Sequence, residues 1–345
     1  MDLAREAVSS AFGCLFGEVV FTSSGTESAN LAVLGPALAA RGGRRRRILL
    51  GAAEHHCVLH CRPVLESWDY EVVLVPVDSE SRYRHALLEE LVDESTFLVS
   101  LMHANNETGA VSDIARLASV AKGRGALFHT DAVQTFPGGW RVGEVGADLV
   151  SVSAHKFGGP TGVGALNVRG GTPIEPMARG GGQERDLRAG TEPVAAIVGM
   201  AAALAARRDV EPVRNARDLF VSKLVEAGFV PTVSGVGPTR DETDKGLGSF
   251  GTVLPGHAHG RFPGVSAESM LIRLDRLGVS ASSGSACSSG SLEPNHVALA
   301  MGWTLEEARE ALRFTFGHGA TLALAEEAAR RVILARDEIL AAGRA

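Results

Sequence analysis

Lysine is close to absent from this sequence. Its 345 residues contain four (Lys122, Lys156, Lys223, Lys245) against thirty arginines, so a lysine in a chemically pointed setting needs an explanation. Cysteine is as scarce. Cys14, Cys57, Cys61 and Cys287 are too few in a chain of this size for a disulfide scaffold. The longest apolar run, 194–206, is too short to cross a bilayer. Acidic and basic residues are interspersed from Asp2 onward, so no signal peptide is expected. A basic excess is missing too: the net charge of −6 gives no general reason to expect nucleic acid. The arginine run 44–47 is short and leads straight into an apolar stretch, as a solvated loop would. No internal repeat is present. What remains is a globular composition, 45% hydrophobic and 21% charged, in a chain long enough for two domains. A cytoplasmic protein with no membrane partner and no direct nucleic-acid partner is the expectation.

From residue 19 short apolar runs alternate with helical periods. The runs 19–22, 48–52, 72–77, 97–102, 126–130 and 149–153 read as strands. Helix-like pieces such as 3–12, 27–40 and 112–123 lie among them, the last with Ser112 as its expected N-cap. This alternation predicts an α/β fold, a mainly parallel sheet flanked by helices. After about residue 209 the texture changes to Gly- and Pro-rich loops with fewer regular elements. Helices are expected at 266–277, with Ser266 as N-cap, and at 321–340, and Thr304 with Glu307 has the spacing of a capping box. The division expected is a large domain at 1–208 and a smaller C-terminal α+β domain at 209–345.

In a parallel sheet covered by helices, ligands sit beyond the carboxyl ends of the strands. The strand 149–153 delivers Lys156 into a bend containing Gly158, Gly159, Pro160 and Gly162. A lysine so placed suits Schiff-base chemistry, while a solvated turn lysine is the bland alternative. The first strand runs into Ser23-Ser-Gly-Thr26 at a helix start, where bare N–H groups beside Gly25 and the Thr26 hydroxyl suit an anion; a ligand-free capped helix would look similar. His55 follows the second strand. His55, His56, Cys57, His60 and Cys61 crowd together, but no second Cys/His pair stands at zinc spacing, so no metal is expected. Asn106 follows the strand at 97–102. Asp131, with Gln134 after it, ends the strand at 126–130, where a carboxylate needs either a cation or a helix to cap. Each of these is weak alone. Together they match pyridoxal phosphate, which needs an aldehyde-trapping lysine, a carboxylate to keep its ring nitrogen protonated, a partner for its ring face and an anion pocket.

The segments FTSSGTES (21–28), EHHCVL (54–59), MHANNETG (102–109), HTDAVQT (129–135), SAHKFGGPTGVGAL (153–166), GGGQERDLRAGTE (180–192), SSGSACSSG (282–290) and LRFTFG (312–317) stand in the order of a known family. The chain resembles the fold-type-I pyridoxal-phosphate enzymes of the class V aminotransferase group, and among them the cysteine desulfurases of the iron–sulfur-assembly type. The resemblance implies that Lys156 is the Schiff-base lysine and Asp131 the partner of the pyridine nitrogen. Gln134 and Asn106 would bond around the ring oxygen, and His55 would stack on the ring. Gly25, Thr26, Ser153 and His155 would hold the phosphate. Thr191 would reach the phosphate of a neighbouring subunit, so a homodimer is implied.

Cys287 lies among serines and glycines, too small to pack as helix or strand, which suits a nucleophile that must move. In the stretch 311–317, Leu312, Phe314 and Phe316 share one strand face and leave Arg313 and Thr315 on the other, where a guanidinium can clamp a carboxylate. The implied reaction takes sulfur from L-cysteine, leaving L-alanine and a persulfide on Cys287 for a sulfur-acceptor protein in iron–sulfur cluster or thio-cofactor and tRNA biosynthesis. His55 is a candidate for proton transfer near the substrate thiol. Selenocysteine lyase and an inactive scaffold with the same fold are the alternatives. Against the family pattern, the usual N-terminal segment with its DNAATT-like strand is missing. Thr161 stands where lysine or arginine is common, Asp186 where glycine is common and His318 where arginine is common.

Overall fold

In the computed structural model of the chain, which describes residues 1–206, 209–233, 251–284 and 295–342, the apolar runs of the first half form one seven-stranded sheet. Its strands are β1 (Val19–Thr22), β2 (Arg47–Gly51), β3 (Glu71–Val75), β4 (Thr96–Ser100), β5 (Leu127–Asp131), β6 (Leu149–Ser153) and β7 (Gly164–Val168), in the order β1-β7-β6-β5-β4-β2-β3. The pairings β3–β2, β2–β4, β4–β5 and β5–β6 are parallel. β7 runs antiparallel to both β6 and β1. Being reversed against each neighbour, β7 leaves β1 pointing the same way as β6. The carboxyl ends of β1, β2, β4, β5 and β6 therefore share one edge, the geometry on which the expected site depends. β4 and β6 are buried at every position, the serines Ser100, Ser151 and Ser153 included, so both faces of each strand are covered.

Within this sheet β7 is the strand that the sequence pattern does not announce, as β8 (Val230–Pro231) and β9 (His257–Arg261) are in the loop-rich part after residue 209. Its residues Gly164-Ala-Leu-Asn-Val168 follow the glycine-rich bend after Lys156 and look like more of that bend, yet they pair residue by residue with β6 from Ser153 opposite Gly164. Local chemistry also shifts some helix starts. The second helix begins at Gly25, with the Ser24 hydroxyl accepting from the Glu27 N–H. Asp113, not Ser112, caps the helix Ile114–Gly123; the Ser112 hydroxyl instead accepts from the Tyr83 N–H at 3.3 Å. Ser266 takes the N-cap position of the helix Ala267–Arg276 without a side-chain bond, whereas the Thr304–Glu307 capping box forms as expected.

A second sheet, β8 (Val230–Pro231), β9 (His257–Arg261) and β10 (Ala311–Thr315), is antiparallel. Its own core joins Ala258, Leu312 and Phe314 to Phe220, Met270 and Val332 of the helices Glu211–Glu226, Ala267–Arg276 and Leu322–Ala342. Arg313 pairs with His259 and Thr315 with His257, so these four side chains leave the other face of the sheet. That face meets the turn after β4: Leu254 donates its N–H to the Gly109 carbonyl (2.8 Å) and Val111 to the Thr252 carbonyl (3.1 Å). Gly109 has φ 75, and a Cβ there would collide with the Cβ of His257, so only glycine lets the two segments meet.

The segment 180–192 turns through three consecutive left-handed residues, Glu184 (φ 50), Arg185 (φ 59) and Asp186 (φ 64). Such backbone costs on the order of 1–2 kcal/mol per non-glycine residue, so it must be held from outside. The buried Glu184 carboxylate accepts from Arg5 Nη2 (2.6 Å) and Nη1 (2.7 Å) of the helix Asp2–Phe12, and from the Phe21 N–H of β1 (2.9 Å). Arg188 Nε donates to Glu27 in the first turn of the helix Gly25–Ala39 (2.8 Å). The position where the family commonly has glycine, Asp186, is thus one that needs a positive φ. Among the described residues no helix is long and apolar enough to cross a membrane.

Candidate active site

A cavity of about 530 Å³ opens at the shared strand edge and is walled on its far side by the second sheet. Gly25 and Thr26 (after β1), His55 (after β2), Asn106 (after β4), Asp131 and Gln134 (end of β5), and Ser153, His155 and Lys156 (end of β6) all line it. Arg313 and Thr315 reach it from β10. Thr191 is exposed and is not among the lining residues, and Cys287 lies outside the described residues. A larger cavity of about 780 Å³ lies by β10 and the helix Leu322–Ala342, lined by Phe220, Phe314, Phe316 and Leu324. Its described lining residues include no lysine or cysteine, whereas the smaller cavity has Lys156.

The anion end is built from backbone. An ideal Cβ on Gly25 would lie 2.9 Å from Val133 Cγ2 and 3.1 Å from Ser153 Cβ, so the helix start can sit against β6 only without a side chain. The first-turn N–H groups of the helix Gly25–Ala39 have no helical acceptor, and the positive end of its dipole points the same way. Ser153 Oγ lies 2.9 Å from His155 Nδ1. Burial first, then the Lys156 charge, hold the His155 imidazole below its ordinary value.

At the other end, Asp131 is buried and accepts from the Val133 N–H at 2.9 Å, the one hydrogen bond of its carboxylate among the described residues. Burial pushes the carboxyl up to about 6, against the pull of that N–H and of Lys156. Glu54 lies behind it, fully buried, accepting from the Tyr83 hydroxyl (3.1 Å) and the Met102 N–H. Burial and then the charge of Asp131 push Glu54 well above the usual carboxylate range, which leaves the negative charge on Asp131. His55 Nδ1 accepts from the Cys57 N–H at 3.2 Å, so the neutral ring carries its proton on Nε2. Burial, followed by His56 and Lys156, keeps that ring neutral.

One residue of the wall, and one just behind it, escape a reading by sequence. His257 stands on β9 beside Arg313 and lines the cavity, its imidazole pushed down to about 3 by burial and then by Arg313 and Lys156. Only the strand register, invisible in a glycine- and proline-rich stretch, brings it there. Glu107, inside the NNETG motif, meets Arg313 Nη1 at 2.8 Å. The thiols that are described hold their protons. Burial lifts Cys14 to about 11, Cys61 to about 12 and Cys57 further still. Among the described residues no group of three or more His, Cys, Asp or Glu side chains is placed to hold a metal ion.

Pyridoxal phosphate fits this donor set. Asp131 is a cavity-facing carboxylate raised by burial and short of donors, which a protonated ring nitrogen would complete. The helix start at Gly25 and Thr26 suits a phosphate, and Lys156 provides the amine.

Comparison with known proteins agrees. The family model described as aminotransferase class-V matches residues 1–327. The cysteine desulfurase IscS of Dictyoglomus turgidum is 41% identical over 325 residues, 92% of this chain and 78% of that protein. The putative cysteine desulfurase IscS 1 of Bacillus subtilis is 38% identical over 341 residues, 96% of this chain and 86% of that protein. Among solved structures, a NifS-like protein is similar with a TM-score of 0.84 and 32% identity, covering 99% of this chain and 87% of its own. DndA from Streptomyces lividans is similar with a TM-score of 0.74 at 32% identity, covering 91% and 87%. The chain is therefore a fold-type-I member of the class-V aminotransferase family, in the branch of the pyridoxal-phosphate-dependent cysteine desulfurases.

Proposed function

We propose that this chain removes sulfur from L-cysteine, giving L-alanine and a persulfide on Cys287 that a sulfur-acceptor protein then takes. The observation that carries the reading is the meeting of Lys156, Asp131 and Arg313 in one cavity from three separate elements. When bound, pyridoxal phosphate supplies an electrophilic carbon for an amine and a ring that takes up the electron pair freed at Cα.

The residues divide the remaining work. Gly25, Thr26, Ser153 and His155 would hold the phosphate, and Asp131 would accept a hydrogen bond from the protonated ring nitrogen. Asn106 and Gln134 would bond near the ring oxygen, and the neutral face of His55 would lie on the ring. Arg313 holds the substrate carboxylate, and the Lys156 amine, once displaced, takes the Cα proton. The Cys287 thiolate attacks the substrate sulfur. The C–S bond breaks with its electron pair left on carbon, and the S–S bond forms on Cys287. His55, protonated at Nε2, can hold a proton beside the substrate thiol. Cys14, Cys57 and Cys61 are all protonated by burial, which leaves this role to Cys287.

A homodimer is part of the proposal. The helix Val194–Ala205 carries no charged residue, yet Val194 and Val198 are about half exposed, the kind of face that a second copy covers. Thr191, exposed just before it, would serve the neighbouring phosphate site. We also read residues 1–208 as the large domain and 209–345 as the small one, in a cytoplasmic protein.

The test is turnover of L-cysteine under reducing conditions. Cys287→Ala should keep the visible absorption of lysine-bound cofactor and lose sulfide release, while Lys156→Ala should lose both. Sulfide release by Cys287→Ala as fast as by the parent would refute the reading. Parallel assays with selenocysteine measure the preference between the two amino acids.

A further inference from the structure

Arg313 is already engaged. Its Nη1 forms an ion pair with Glu107 Oε1 at 2.8 Å and donates to the Asn106 carbonyl (3.1 Å). The same Glu107 oxygen accepts from Asn106 Nδ2 at 2.9 Å. Among the described residues, Nε and Nη2 of Arg313 make no hydrogen bond, and the side chain keeps 22% exposure on the cavity while Glu107 has 3%. One corner of the guanidinium is thus fastened, and the Nε–Nη2 edge, the side-on pair that matches a carboxylate, stays open.

We propose that Glu107 is a positioning residue for substrate recognition: it fixes Arg313 so that its Nε–Nη2 edge receives the carboxylate of the amino-acid substrate, and through the same oxygen it orients Asn106. The inference rests on the desulfurase reading and adds to it a residue that never touches the substrate.

Both partners are held from behind. Arg313 exchanges two backbone hydrogen bonds with Ser282, at 2.7 and 3.0 Å, so its strand cannot swing. The Glu107 N–H is bound by Asn105 Oδ1 (2.8 Å), and Asn105 Nδ2 in turn donates to the Ala53 carbonyl (2.9 Å). The rival explanation is an ion pair kept for stability. Such a pair should satisfy both carboxylate oxygens, because burying a charge is costly. Glu107 Oε2 instead is buried and has no hydrogen-bond partner among the described residues. It faces Gly284 (φ 79), where an added Cβ would lie 2.8 Å away and would also collide with Asn295 Nδ2. Burial accordingly raises the Glu107 carboxyl, with Arg313 pulling against it. A carboxylate held at this cost serves to aim its partner rather than to stabilise the fold.

The test compares the parent holoenzyme with Glu107→Gln and Glu107→Ala. The glutamine keeps the shape and an acceptor oxygen but loses the charge. Its KM for L-cysteine and its Kd for L-alanine, which carries the carboxylate without sulfur, should rise about tenfold or more. The alanine variant should show a larger rise, and kcat should stay within about threefold in both. Ethylamine, which lacks the carboxylate, should bind all three proteins equally, and the cofactor's visible band and the melting temperature of Glu107→Gln should match the parent. Adding Glu107→Gln to Arg313→Lys should cost little further affinity, since the residue acts through Arg313. An unchanged KM and L-alanine Kd in both variants would overturn the inference, as would an equal loss for L-alanine and ethylamine. A parent that fails to turn over cysteine would instead sink the desulfurase reading beneath it.

Discussion

Asp131 should destabilise the protein when the cofactor is absent, and replacing it tests the electrostatics of the site directly. Its carboxyl is pushed from 3.8 up to about 6 in the folded chain, mainly by burial. Below about pH 4 the group is protonated whether the chain is folded or not, and it has no effect on stability. As the pH rises through the window from about 4 to about 6, the unfolded chain ionises first, and the folded state loses ground until its own carboxyl follows. A gap of about 2 units corresponds to about 3 kcal/mol, fully expressed above pH 6. Asp131→Asn removes that cost while its amide oxygen can still accept from Val133. In urea titrations, the cofactor-free variant should be more stable than the cofactor-free parent by about 1–3 kcal/mol near pH 8, with the gap closing toward pH 4. With pyridoxal phosphate the order should reverse, because the ring nitrogen loses its counter-charge, and desulfurase activity should collapse. A cofactor-free variant no more stable than the parent at about pH 8, or a gap independent of pH, would refute the reasoning.

Gly25→Ala drives a methyl to 2.9 Å from Val133 Cγ2, so stability should fall by about 1–3 kcal/mol in thermal melts. Cofactor affinity, followed by visible titration, should weaken at least tenfold; unchanged affinity would mean that the helix start is not the phosphate cradle. Asp186→Gly relieves a left-handed residue at φ 64 and should stabilise by about 1 kcal/mol in urea titrations, whereas a lowered midpoint would show that the turn is unstrained there.

Much of the large sheet could be read from the sequence because its strands are buried and uninterrupted. The run at 149–153 becomes β6 without adjustment, and the positions after β1, β2, β4, β5 and β6 gather in one cavity as parallel strands require. β7 could not be read, because its apolar residues follow a glycine-rich bend and its antiparallel pairing is a tertiary choice. Ser112 misleads for a related reason. Asp113 beside it is an equally good cap, and only the fold shows that the Ser112 hydroxyl is taken by Tyr83. Arg313 was legible from the alternation of Leu312 and Phe314, which join the core as that pattern demands. Its partner Glu107 was not, since the two stand 206 positions apart and meet only when β10 packs on the turn after β4. His257 was hidden in the same way by a register that no local pattern encodes.

The left-handed turn at Glu184–Asp186 has a consequence beyond its own strain. Glu184 is fastened to Phe21, three residues before the Ser24 cap, and Arg188 is fastened to Glu27 just past it, so the anion cradle is gripped on both sides by one segment. That segment ends in Thr191. If Thr191 serves the neighbouring subunit, as proposed, then each cradle is shaped by the chain that completes the other, and the two sites of a dimer would be joined mechanically through the eight residues from Glu184 to Thr191. Filling one site would then be felt at the second as a change in shape, without any wider movement of either sheet.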